Sequence, residues 1–174
     1  MPVTVKGGLD LRKALRNYAP DLSKEMPKEI ASFLKPVVKA ARGYLPTDSQ
    51  ILSGWRDRPR AYGKFPLYNA KIARSGITYK TTPSKPNREG FRSLATILNK
   101  TAAGAIYETA GRKNPDSIFV RNLNGKVVGQ MKGKDKMEGR AMYRAFEEDK
   151  GKATDGVRKA IQKANERFQA RIKI

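Results

Sequence analysis

The residues able to do chemistry fall into three short patterns. Neither histidine nor cysteine occurs in the 174 residues, so imidazole bases, thiolate nucleophiles, ordinary zinc sites, haem ligation and disulfides are excluded together. Carboxylates, Lys, Ser, Thr and Tyr remain, with at most a hard cation held by oxygen. Pro115-Asp116 followed by Glu148-Asp149-Lys150 has the proline-aspartate and acid-x-lysine order of a metal-dependent nuclease. That chemistry needs the second carboxylate on a strand beside the first, so that both reach one metal. Glu148 instead ends a helical stretch that begins near Gly139, and solvated helix-end charges account for it better. Glu147, Glu148 and Asp149 are consecutive there and point about 100° apart, so they do not converge on one ion. Gly151-Lys152-Ala153-Thr154 is similar to the end of a phosphate-binding loop, but Ala153 stands where the magnesium-binding hydroxyl belongs and Phe146 where the first glycine belongs. Ser and Thr beside lysines are too common in this chain to define a Ser-Lys dyad. No catalytic residue, metal ligand or cofactor is assigned.

Charge is the informative property. The chain holds 37 Lys and Arg against 16 Asp and Glu, a net +21, which points to an anionic neighbour. Between Arg56 and Lys100 there are eleven basic residues and two acids, Asp57 and Glu89. Tyr62, Phe65, Tyr68 and Tyr79 are interleaved with them. This suits contact with nucleic acid if the rings are exposed, and equally suits aromatic core residues beneath solvated charges, because no zinc finger, RNP-like motif or Gly-x-x-Gly clamp accompanies them. Lack of cysteine fits a reducing compartment. No leader-like apolar stretch opens the chain and none approaches a membrane span, so the expectation is a soluble, unsecreted protein with no membrane partner.

The elements that must position these groups read as one domain, 1–174, long enough to bury roughly 70% of its unfolded surface. Asp10 is a candidate N-cap for a first helix ending before Pro20. Leu22, Met26, Ile30, Phe33, Leu34, Val37, Val38 and Ala41 form an apolar stripe, and Pro27 and Pro36 within it predict a helix that starts late or bends. The N-terminal helices thus cover about 10–43. A mixed sheet and helix core follows over about 66–131. There Tyr68, Ala70 and Ile72 alternate, as do Ile77, Tyr79 and Thr81, which reads as an antiparallel pair around Arg74-Ser75-Gly76. Thr82 to Gly90 is a polar loop, Phe91 to Leu98 is helical, and 102–110 leans to helix. Ile118–Leu123, Asn124-Gly125 and Lys126–Met131 read as a hairpin. A C-terminal helical region spans about 139–172, with Gly151 and Gly156 as weak points and a narrow apolar stripe suited to packing rather than to a lipid surface. The predicted fold class is α+β: N-terminal helices and a C-terminal helix on a small antiparallel sheet, with long exposed loops.

The order of segments resembles the neck and tail-completion proteins that join head to tail in long-tailed double-stranded DNA phages. Arg42, Pro46, Thr47 and Leu52-Ser53 occupy the places of that family's Arg-x-x-x-Pro element and capped Leu-rich turn. Gly104 to Gly111 (GAIYETAG), with Tyr107, Glu108 and Gly111, is similar to its Ala-x-Tyr-x-Glu-x-Gly element, and Phe119 to its Phe-containing strand. The match runs in order through most of the chain. Departures are Ser49 in place of Gly, an extra hairpin expected around Asn124-Gly125 and a long basic region from Lys132 onward. The resemblance implies a non-enzymatic virion protein without cofactor or metal, assembled in the host cytoplasm as a homo-oligomeric ring, six-fold related. Its partners would be a head-closure or adaptor protein on one side and the tail terminator on the other, with double-stranded DNA passing non-specifically. Pro46, Leu52, Tyr107, Glu108, Gly111 and Phe119 become interface candidates, and Arg56, Arg58, Arg60, Lys64, Lys71, Arg74 and Lys80 candidates for facing DNA. The competing expectations are a basic DNA-binding or nuclease-like protein, and the tail terminator itself.

Overall fold

A computed structural model describes residues 7–57, 65–125, 131–132 and 138–172. Among them are eight helices and a two-stranded antiparallel sheet, an α+β fold. The helices are α1 (Gly8–Tyr18), α2 (Pro20–Gly43), α3 (Ser53–Arg56), α4 (Ala70–Gly76), α5 (Ala102–Thr109), α6 (Ile118–Gly125), α7 (Met142–Glu148) and α8 (Lys152–Ile172), and strands β1 (Ile77–Lys80) and β2 (Thr96–Asn99) lie between α4 and α5. Two compact units share them: unit 1 holds residues 1–36, 79–96 and 151–174, and unit 2 holds 37–78 and 97–150.

In unit 1 the sequence pattern of α2 decides its path. Leu22, Met26, Ile30 and Leu34 are all buried at four-residue spacing. Full burial of four such side chains contributes roughly 1.5–3 kcal/mol each, enough to offset two interior prolines at about 3 kcal/mol each. The helix starts at Pro20, ahead of both Pro27 and Pro36, so of the two outcomes expected from the prolines, a late start or a bend, the late start does not occur. Asp10 does not cap α1; it lies in the first turn of a helix that begins at Gly8, where a carboxylate still suits the positive helix end.

The partner of α2 in this unit is α8. Arg171 pairs with Asp21 at 2.7 Å, Arg167 with Glu25 at 2.7 Å and Lys163 with Glu29 at 2.9 Å. Each step of four residues forward on one helix is a step of four back on the other, so the two run antiparallel in fixed register. The buried residues of α8 are Ala153, Gly156, Ala160, Ile161, Ala164 and Phe168, a row of mostly small side chains that lets another backbone come near. Gly156, read from sequence as a weak point, is instead a fitted contact: a Cβ there would lie 2.2 Å from the Phe33 ring. The break between α7 and α8 falls at Lys150 and Gly151, with φ of 51° and 83°.

Three sequence expectations are corrected in the middle of the chain. Residues 70–76 form α4, not the first arm of a hairpin. The Asn69 side chain accepts the Ile72 N–H at 2.9 Å and caps the helix, and Ala70, Ala73 and Gly76 are its buried face, so Ala70 and Ile72, two residues apart, fall on opposite sides of a helix, one buried and the other exposed. Phe91 to Leu98 is not helical; Thr96–Asn99 is β2, which pairs with β1. Both strands carry β-branched residues, Ile77 and Thr78 in β1 and Thr96 and Ile97 in β2, which favour the pleat. Ile118–Leu123 is α6 rather than a hairpin arm. The Ser117 hydroxyl accepts the Val120 N–H and Val120 and Leu123 are buried, so Asn124-Gly125 belongs to a helix and not to a hairpin turn. Of the expected second arm, Lys126–Met131, residues 126–130 lie outside the described residues. The helix expected over 102–110 is present as α5.

Candidate functional site

Unit 2 is organised around an aromatic cluster with a polar core beside it. Trp55, on α3, is buried and its indole N–H donates to the Pro66 carbonyl at 2.8 Å. Its ring centroid lies 5.2 Å from those of Tyr68 and Phe119 and 6.0 Å from that of Phe65. Phe65 and Phe119 meet edge to face at 5.9 Å, the geometry that ring quadrupoles favour. Tyr68 donates its hydroxyl to the Pro46 carbonyl at 2.9 Å, and Tyr107 reaches the Tyr44 carbonyl at 3.3 Å. Burial drives both phenols to resist ionisation, raising Tyr68 far above the ordinary value and Tyr107 to about 12. Outside the cluster a groove of about 700 Å³ opens over Leu52, Trp55, Phe65, Phe119, Arg121 and Asn122.

The polar core is built by α5. Glu108 is 2% exposed, and its carboxylate accepts the backbone N–H groups of Ala141 (2.8 Å), Met142 (3.0 Å) and Tyr143 (3.0 Å). These are the unpartnered donors at the start of α7, so a side chain 33 residues upstream caps that helix. Gly139 has to be glycine here, since a Cβ would lie 1.9 Å from Glu108 Oε1. Next to it Arg140 is fully buried. Its guanidinium donates to the carbonyls of Tyr107 and Ala110 and to Asn124 Oδ1 at 2.8 Å, tying the end of α5 to α6. Burial lowers its pKa. Sequence reasoning takes Gly139 only as the start of a helical stretch, three residues ahead of where α7 begins, and passes over Arg140; the local signal is the small-residue setting Gly139-Arg140-Ala141 just ahead of a helix.

The interface candidates therefore divide. Pro46, Tyr107 and Glu108 are buried in unit 2 and hold it from inside. Gly111 takes φ 102°, a conformation that favours glycine, and lets the chain turn after α5. Leu52 and Phe119 line the groove. Arg42, the first residue of the Arg-x-x-x-Pro element, donates Nε and Nη2 to the Ile77 carbonyl at 3.0 and 2.7 Å.

The candidates for facing DNA divide as well. Arg56 is exposed, but its guanidinium is chelated by Asp57, which raises the arginine and lowers the carboxyl. Arg74 is half-buried and donates to the Leu45 carbonyl at 2.9 Å. Lys71 is exposed in unit 2 and Lys80 in unit 1. Arg58, Arg60 and Lys64 lie outside the described residues. Glu148, from the nuclease-like pattern, ends α7 and is bound by Arg144 (3.1 Å), Lys132 (3.2 Å) and the Tyr44 hydroxyl. Among the described residues no group of three acids is placed to hold a metal ion, and no helix is long and apolar enough to cross a membrane.

No protein-family model matches the chain, and no curated protein or solved structure matches it either. The resemblance to phage neck proteins rests on the quoted motif residues.

Proposed function

We propose that this chain is a non-enzymatic structural protein of the phage neck, joining head to tail as a ring around the DNA channel, between a head-closure or adaptor protein and the tail terminator. The observation that supports this reading is the set of large apolar side chains that unit 2 leaves in water: Phe65 at 37% exposure, Leu67 at 51%, Ile72 at 59% and Ile118 at 70%. Phe65 adjoins the groove over Phe119 and Leu52. Covering the exposed part of one such side chain contributes roughly 0.5–2 kcal/mol, so a neighbour that takes several supplies a substantial part of an interface. A head-to-tail contact between copies closes into a ring by rotation.

The test is assembly. Sedimentation of the purified chain, alone and with the head-closure and tail-terminator proteins of the same phage, should reveal a ring-sized species. Ile72→Glu and Ile118→Glu should weaken it without changing the helical circular dichroism. A wild-type chain that stays monomeric at high concentration, and with those partners, refutes the proposal.

A further inference from the structure

The ion-pair ladder between α2 and α8 sorts the charges of unit 1. Asp21, Glu25 and Glu29, the acids of α2 in this unit, are all engaged by cations of α8. The remaining charged residues of that part of α2 are Lys24, Lys28 and Lys35, and all three are exposed. At about 100° per residue they fall within roughly 40° of one another, on the outer flank of the ladder. On α8 the exposed Lys152 and Lys159 are two turns apart and, in the antiparallel register, occupy the matching outer flank. That register sets Lys159 level with Phe33, between Lys28 and Lys35. No ion pair to a described residue engages any of these five ammonium groups. The nearest acids on α8 are Asp155, paired with Arg158, and Glu166, bonded to the Gln162 amide.

We infer that this two-helix lysine face is a binding surface for the phosphate backbone of double-stranded DNA, distinct from the basic segment 56–80. Lys24 to Lys35 spans about 16 Å at 1.5 Å per residue, a length over which a duplex carries about ten negative charges. Ammonium groups on rigid helices act as point charges for phosphate. The five lysines include neither an aromatic ring for stacking nor the planar fork that reads a base edge, so binding is to the backbone and indifferent to sequence. The ladder leaves the lysines as the unpaired charges of this face, because it engages each carboxylate of α2 in this unit with a cation of α8.

The inference concerns the single chain and does not depend on the neck reading. Fluorescence anisotropy with a 25-base-pair duplex of arbitrary sequence, over a salt series, tests it. Wild type should bind with an affinity that falls steeply with salt. Lys24→Gln, Lys28→Gln and Lys35→Gln combined should lower affinity at least tenfold at low salt and reduce the log–log salt slope by about 2–3, given roughly 0.9 per phosphate contact. The same charge change in unit 2, Lys100→Gln with Lys113→Gln and Lys150→Gln, should leave the slope within about one unit of wild type. Equal losses from the two triple variants, or no binding by wild type, overturn the inference. So does a face variant that loses affinity for anionic phospholipid vesicles while keeping its affinity for the duplex. Ring formation with weak DNA binding would leave the neck reading standing and remove this one.

Discussion

Replacing Glu108 by Gln tests whether a buried side chain of α5 holds α7 in place. The carboxylate is 2% exposed and accepts three N–H groups, two at Oε2 and one at Oε1. Glutamine has nearly the same shape and keeps one carbonyl oxygen, which can still serve Ala141 and Met142. Its amide nitrogen then faces the Tyr143 N–H, donor against donor. One charge-assisted bond is lost, the other two become neutral, and a buried donor is left unpaired, so Glu108→Gln should cost about 2–4 kcal/mol. Glu108→Ala abandons all three and opens a cavity, for about 4–6 kcal/mol, a large share of the 5–15 kcal/mol that stabilises a domain. Urea unfolding followed by tryptophan fluorescence is the assay, because the chain has one tryptophan and Trp55 sits in the core of the same unit. The midpoint should fall for Gln and further for Ala, with the slope unchanged. Gly139→Ala, whose Cβ would collide with Oε1, should resemble Glu108→Ala. A Gln variant within about 0.5 kcal/mol of wild type, the range of an ordinary surface substitution, refutes the capping argument.

Two further outcomes follow from packing and from burial. Gly156→Ala should destabilise unit 1 by about 1–3 kcal/mol through collision with Phe33, although helix propensity alone favours alanine by about 1 kcal/mol; in a Phe33→Ala background the same change should become neutral or stabilising, as read by thermal denaturation of the double-mutant set. Tyr107, raised to about 12 by burial, is protonated in the folded chain where an unfolded tyrosine near 10 would ionise. Its contribution is whole below about 10 and is lost as pH climbs toward 12, so stability should decline over that window and tyrosinate absorbance should rise late. Tyr107→Phe should remove part of the late rise.

The parts of this fold legible in the sequence are those whose partners are dictated by a long period. The stripe from Leu22 to Ala41 identifies α2 because eight apolar positions repeat on one face, and Val157 to Ile172 identifies α8 similarly. Short elements are less secure. Ala70 and Ile72 fit a strand as well as a helix over so few residues, and the deciding fact, Asn69 capping Ile72, is a local signal that alternation obscures. Asn124-Gly125 illustrates the same ambiguity, since a pair that suits a tight hairpin turn here belongs to α6. In the polar core, Glu108 stands out in its motif, but its purpose does not: its three donors arrive from a segment 33 residues downstream. The basic segment 56–80 has the density of an anion-binding run, yet Asp57 chelates Arg56 and the Leu45 carbonyl takes Arg74. Charge per residue cannot tell a free cation from an occupied one.

The ladder from Asp21–Arg171 to Glu29–Lys163 joins segments separated by more than 130 residues. During synthesis the first two helices leave the ribosome long before the last one exists. Unit 2 has its whole sequence in hand by Lys150 and can close while translation continues. Unit 1 must wait for α8, made more than 130 residues after the start of α2, to fold back along that helix. A partner made this late leaves apolar side chains of α2 uncovered on the nascent chain, the kind of surface that holding chaperones bind.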